Sequence, residues 1–399
     1  MTSRERVQAA LNHREADRVP VDVGGTEITG LHGAAYNRLK AHLGIEDGRT
    51  RLFHLYMQLA AVEQPVRERF RGDVVRLSFE AKQWKPWKLF DGSACEVPAG
   101  WNPARFDDGS EAIVGLDQKP LIQRHADSPW FSPAGPICPF IQSASDVAKY
   151  KDVLRVLDRS AWLDEQVEDL AARAKAIREE TGCAIAGVFG GHIFAAAQLV
   201  LGMENFMMAL HTDPELCVTL MDTIAELHME EFPHYAEALD PYLDIICVAD
   251  DLGAQQGTQI HPDMWRRLAK PSMARLYGFM KKRMHHSKLF LHSCGSVYDV
   301  IPDLIEMGVD VLNPLQVSAA NMDTAKLKAE FGDSIVLWGG GCDTQTVLPQ
   351  GTTAEVRDEV NRRIDDLAPG GGFVFAQVHN IQPDVPPENM AAMWDTAGA

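Results

Sequence analysis

From about residue 183 onward, short β-rich runs alternate with helical runs, and this alternation constrains the fold more than any other feature of the chain. The apolar runs are CAIAGVFGG, LDIICVADD, KLFLHSCGS, VDVLNPLQ, SIVLWGGGCD and GFVFAQVHN. Between them lie helical patterns such as PDMWRRLAKPSMARLYGFMKKR, VYDVIPDLIEMG and TTAEVRDEVNRRIDDLA. Parallel strands need a crossover long enough to hold a helix, so strand–helix repetition predicts parallel βα units. RVPVDVGG and GDVVRLSF supply two earlier strands, which makes eight. The expected fold is α/β: a closed (β/α)8 TIM barrel over residues 1–399 as a single domain.

The pattern breaks once, at about residues 80–140, in Gly- and Pro-rich sequence that holds Trp84, Trp87, Trp101 and Trp130. Asp91-Gly92 and Asp108-Gly109 are hairpin turn signals. A β-hairpin or lid insertion after the second strand is expected there, with an apolar or aromatic wall over the mouth. LDEQVEDLAARAKAIREETG reads as an amphipathic outer helix ending at Gly182.

Charge and cysteine usage exclude several classes of partner. The 38 basic and 56 acidic residues give −18, which repels nucleic acid and anionic membranes. No run approaches the roughly 18 apolar residues of a membrane span. The opening MTSRERVQAALNHREADRVP reads as a helix with Thr2 and Glu5 at capping-box spacing, not as an apolar signal peptide. Seven scattered cysteines without a CxxC pair fit a reducing cytoplasm, the expected location. Walker A, GxSxG, HExxH and GxGxxG patterns are all missing from the sequence.

Polar residues gather where the apolar runs end. Asp250 and Asp251 follow one run, His292 and Cys294 the next, and Asn313 and Gln316 the next. Cys342, Asp343 and Gln345 follow the seventh strand, and Gln377, His379 and Gln382 the eighth. The carboxyl ends of barrel strands open onto one face, so these residues are expected to line a catalytic mouth. Side chains alternate along a strand, which puts His292 and Cys294 on one face with Ser293 on the other. Zn²⁺ accepts imidazole and thiolate, and Cys342, His379, Asp250 and Asp251 are the candidates to complete a site. The spacing alone equally allows a buried free thiol beside a substrate-binding histidine.

These residues also carry a resemblance. The chain resembles the uroporphyrinogen decarboxylase superfamily over nearly its whole length, from RERVQAALNHREADRVPV to HNIQPDVPPENMAAM. That superfamily comprises (β/α)8 barrels, both decarboxylases and zinc-dependent methyltransferases that exchange methyl groups with corrinoid proteins. The resemblance sets His379 at the decarboxylases' C-terminal active-site histidine and Asp73 at their central aspartate. Gln198 falls where they carry a tyrosine, and VDVGGTEITG lacks the arginines that hold their substrate carboxylates. The methyltransferase branch matches better. Its zinc-binding His-x-Cys pair corresponds to His292 and Cys294, and its third ligand position falls on His379, with Cys342 a weaker candidate.

The function so implied is a zinc-dependent methyltransferase or demethylase acting on a small methylated substrate. Asp250 or Asp251 would be a fourth ligand or acid–base partner, and Asn313, Gln316, Asp343, Gln345, Gln377, Gln198 and Asp73 would bind substrate. Cobalamin would arrive on a separate corrinoid protein, because no DxHxxG pattern is present. The family suggests a homodimer. Two rival readings are a metal-independent decarboxylase or lyase using His379 with Asp250 or Asp251, and a non-catalytic binding protein.

Overall fold

The structure is a computed structural model that describes residues 1–46, 48–77, 79–115, 119–156 and 167–399. Seven strands form one parallel sheet: β1 (Val74–Leu77), β2 (Ala184–Gly190), β3 (Ile245–Ala249), β4 (Lys288–His292), β5 (Val311–Asn313), β6 (Val336–Trp338) and β7 (Phe373–Val374). Each pairs in parallel with the next in sequence, and helices return the chain between them. The expected first strand is reduced to a bridge. The Asp22 N–H donates to Phe375 O at 2.8 Å and the Phe375 N–H to Pro20 O at 2.8 Å, while the Asp73 N–H donates to Val21 O at 2.7 Å. Residues 20–22 thus stand between the ends of the sheet, and the fold is TIM-barrel-like. The strand stops because Gly24 adopts φ +66°, a left-handed conformation incompatible with extension.

Strand alternation separates two apolar layers. Val74, Ala186, Cys247, Phe290, Val311, Trp338 and Val374 share a buried cluster with Val7, Ala10 and Leu11 of the helix Ser3–Leu11. This is the barrel interior, stoppered at its N-terminal end by that helix. Phe290 and Trp338 meet edge to face there, with centroids 5.5 Å apart, a pairing worth about 0.5–1.5 kcal/mol beyond area burial. Their neighbours Ile185, Ile246, Leu289, Leu312 and Leu337 face outward and pack in the larger core that includes the helices. Two residues beyond Val74, Phe290 and Val311 on the same face come Arg76, His292 and Asn313, so the interior turns polar toward the C-terminal ends.

The stoppering helix has the expected capping box, with Thr2 and Glu5 bonded reciprocally. Arg6 reaches from it to Asp73 at 2.7 Å and to Asp17 at 2.7 Å. Asp73 is fully buried at the N-terminal end of β1 and also accepts from Arg18 at 2.7 Å and from the Val21 N–H at 2.8 Å.

The Trp-rich insertion contains a hairpin, Trp84–Lys88 with Ala94–Pro98, and a four-stranded antiparallel sheet. Both Asp-Gly signals sit in turns, with Gly92 at φ +79° and Gly109 at φ +80°. The expected outer helix is observed as Val167–Glu180. Residues 163–166 of that expectation and 116–118 of the insertion lie outside the described residues, as does Ser78 at the end of GDVVRLSF. A small sheet of Leu31–His32, Leu59–Ala60 and Leu52–His54 had no counterpart among the expected elements. Leu31 bridges to Ile381, which fixes this sheet beside the segment that follows β7.

Candidate metal centre at the mouth of the barrel

His292 closes β4 and Cys294 follows it, both toward the interior. Ser293 turns away, its Oγ accepting the Leu252 N–H at 2.9 Å. The chain then turns at Gly295, φ +85°, directly against Gly253. A Cβ added to Gly253 would lie 2.3 Å from Cys294 O, so only glycine permits the close approach that sets the cysteine's position.

Asn313 orients the imidazole. Its Nδ2 donates to Trp338 O at 3.0 Å, which leaves Oδ1 to accept from His292 Nδ1 at 2.7 Å. The proton therefore sits on Nδ1, and Nε2 presents a lone pair 3.2 Å from Cys294 Sγ. His379 faces the same point, its ring centroid 5.5 Å from that of His292. Ligand atoms of His292, Cys294 and His379 all lie within 4.8 Å of one another. Two imidazoles and a thiol at this separation are a donor set suited to Zn²⁺.

Burial dominates the electrostatics. It pushes His292 below its ordinary value, against the pull of Asp251, and it takes His379 down to about 4, helped by His292. It pushes the Cys294 thiol up, and Asp251 adds to that shift. At neutral pH the group holds two neutral imidazoles and a protonated thiol. A cation would reverse the last of these, since metal ligation deprotonates cysteine outright.

The two adjacent aspartates have separate surroundings. Asp250 is fully buried and accepts the N–H groups of Ile193, Phe194 and Ala195 at 2.9, 3.0 and 2.6 Å. It holds the start of the helix Phe194–Leu201, and burial raises its pKa against those three donors. Asp251 is 48% exposed, accepts the Cys294 N–H at 2.8 Å and stands 3.7 Å from His292 Nε2. Asp251 is the carboxylate in contact with the group.

The other expected site residues divide between the mouth and elsewhere. Gln316 accepts the Gly295 N–H at 2.7 Å, and Gln198 donates to Gln259, whose own amide donates to Asp251 O. Gln377 donates to Thr29 O at 2.7 Å and leaves a buried Oε1 without a partner among the described residues. Asp343 accepts the Gln345 and Thr346 N–H groups in a turn, and Gln345 accepts from Ser318 at 3.0 Å. Cys342 packs in the outer core, 3.8 Å from Glu359, and is not part of the His/Cys/His group. Asp73 lies at the opposite end of its strand, engaged by Arg6 and Arg18.

Several charged residues of the mouth carried no sequence signal. Glu27 pairs with His54 at 2.9 Å, and His54 Nδ1 accepts the Met57 N–H at 3.1 Å, so its proton is on Nε2 toward Glu27. Burial opposes ionisation of Glu27, yet His54, His192 and Arg76 together hold its carboxyl at about 2. Below it, Asp22 accepts from Trp338 Nε1 at 3.0 Å, Thr29 at 2.9 Å and the Gly25 N–H at 2.6 Å. Burial nevertheless lifts Asp22 to about 6, and its three donors anchor the loop that carries Glu27. The pattern that would reveal Arg76 is present in the sequence: it stands two residues from Val74 in GDVVRLSF.

A comparison with curated proteins finds no match. Among solved structures, a methyltransferase from Methanosarcina mazei superposes with a TM-score of 0.58 at 20% identity, covering 100% of this chain and 98% of its own. That likeness concerns the fold. The family described as "Uroporphyrinogen decarboxylase (URO-D)" matches residues 134–399, which include β2 to β7, His292, Cys294 and His379. The match covers more than half of the chain, and the protein belongs to the uroporphyrinogen decarboxylase family.

Proposed function

We propose that this protein is a zinc-dependent methyltransferase or demethylase that removes a methyl group from a small O-, N- or S-methyl compound, with the methyl passing to a corrinoid carried by a separate protein. The observation that carries this reading is the convergence of His292, Cys294 and His379 within 4.8 Å at the barrel mouth. Zn²⁺ held by these three residues would supply Lewis acidity, favouring the deprotonated form of a heteroatom bound there.

The chain's own groups do the rest. Asn313 keeps the His292 proton on Nδ1 and the ring in one orientation. Asp251, half in solvent and 3.7 Å from His292, is placed to exchange a proton with the heteroatom that loses or gains methyl. Gln316 fixes the Gly295 backbone behind Cys294.

With zinc-loaded protein and free cob(I)alamin, demethylation of one compound in a panel of methyl ethers, methylamines and methyl thioethers is expected, and Cys294→Ala should abolish it. Release of CO₂ from a carboxylated substrate, undiminished by a chelator, would instead establish the lyase reading. Partners that orient metal-binding histidines typically account for 10–100-fold in affinity. Asn313→Ala is therefore expected to weaken zinc binding by roughly that factor, read by competition with a chromogenic chelator, while His292 itself is intact.

A further inference from the structure

Arg76 is the one arginine placed on the interior face of β1, directly above the apolar layer that contains Val74. Its side chain is only 7% exposed. The guanidinium carbon lies 3.5 Å from the centre of the Phe53 ring, a contact that supports the cation without satisfying its N–H groups. Nη2 stands 3.8 Å from Glu80 Oε1, which is beyond hydrogen-bond length. Nη1 is buried and has no hydrogen-bond partner among the described residues. The charged groups that act on Arg76 are Glu80, Glu27 and Arg173. Burial lowers its pKa to about 10, so it is still a cation at neutral pH.

A buried guanidinium N–H without an acceptor is costly, and an arriving oxygen anion recovers that cost. Position ties this donor to the metal centre. Arg76 stands two residues beyond Val74 on the interior face, as His292 stands two beyond Phe290, so both lie toward the C-terminal end of the sheet, and the Glu27 carboxylate acts electrostatically on both. The ligand chemistry is limited by the same neighbours. One free donor with two carboxylates nearby suits a singly charged, planar group better than a phosphate dianion.

We infer that Arg76 and Phe53 form a carboxylate-binding subsite at the barrel mouth, and that the protein takes a small organic monocarboxylate there. That this compound is the substrate rests on the methyl-transfer reading, whereas the subsite itself does not.

The test uses chelator-treated protein, benzoate as probe and its uncharged isostere benzamide as control, followed by isothermal titration calorimetry. Saturable benzoate binding is expected, with benzamide and inorganic phosphate each at least about tenfold weaker, the scale of one charge-assisted hydrogen bond. Arg76→Gln should lose about the same factor for benzoate and none for benzamide, and Arg76→Lys should recover part of it. Equal binding of benzoate and benzamide to the wild type, tighter binding of phosphate, or no benzoate binding at millimolar concentration would each overturn the proposal. The wild-type comparison decides even where Arg76→Gln fails to fold. Because no zinc is present, failure here leaves the demethylation assay unaffected, and failure of that assay leaves the subsite standing.

Discussion

Purified protein, refolded or expressed with zinc available, is expected to carry about one zinc ion per chain, and the His292→Ala, Cys294→Ala double variant none. Two of three donors vanish in that variant, whereas the buried apolar layers below are untouched. Its circular dichroism and thermal unfolding should therefore stay close to those of metal-free wild type, while its metal content falls. The pH dependence sharpens the expectation. Burial holds both imidazoles below their ordinary values, with His379 at about 4, and the Cys294 thiol above its own. Between about pH 7 and pH 8 the lowered imidazoles are already unprotonated, so zinc has only the thiol proton to displace. Affinity should rise about tenfold per pH unit across that window, and an indicator dye should record about one proton released per zinc. A wild type that binds no zinc, yet demethylates a substrate, would remove the metal from the mechanism.

The second large effect concerns stability. Asp73→Ala is expected to lower the free energy of unfolding by about 3–5 kcal/mol, read as a shift of the urea midpoint. The Asp73 carboxylate is fully buried, and it joins Arg6, Arg18 and the Val21 N–H in one cluster. Its removal leaves Arg6 Nη1 without its acceptor in a side chain only 9% exposed, while Asp17 keeps Nε and Nη2, and it takes from the short segment between β7 and β1 the carboxylate that accepts the Val21 N–H. Zinc content at low temperature should be unchanged, because His292, Cys294 and His379 sit at the far end of the strands. A midpoint within about 0.5 kcal/mol of wild type would refute this account of ring closure.

Strand alternation made the His/Cys/His group legible. KLFLHSCGS fixes which face His292 shares with Cys294, and the neighbouring runs put His379 and Asn313 at the same end. Residue type alone could not assign roles. Asn313 reads as a substrate group but spends both ends of its amide on His292 and the Trp338 carbonyl. Asp250 and Asp251 are indistinguishable in the sequence, and only the fold commits the first to a helix start. Glu27 and His54 were invisible because their loop and their two- and three-residue strands have no periodicity to read. The first strand was overestimated for the opposite reason: RVPVDVGG has a strand's apolar pattern, but Gly24 ends it after one bridge.

That bridge has a consequence for how the molecule is made. Pro20 and Asp22 leave the ribosome about 350 residues before Phe375, their hydrogen-bond partner. Until then β1 lacks its neighbour on one side, and the growing sheet ends in an unpaired edge of the kind that recruits other chains. Nascent protein should thus be most exposed to self-association while translation crosses the last barrel strand. Slow passage through that stretch, rather than any weakness of the finished barrel, would limit soluble yield.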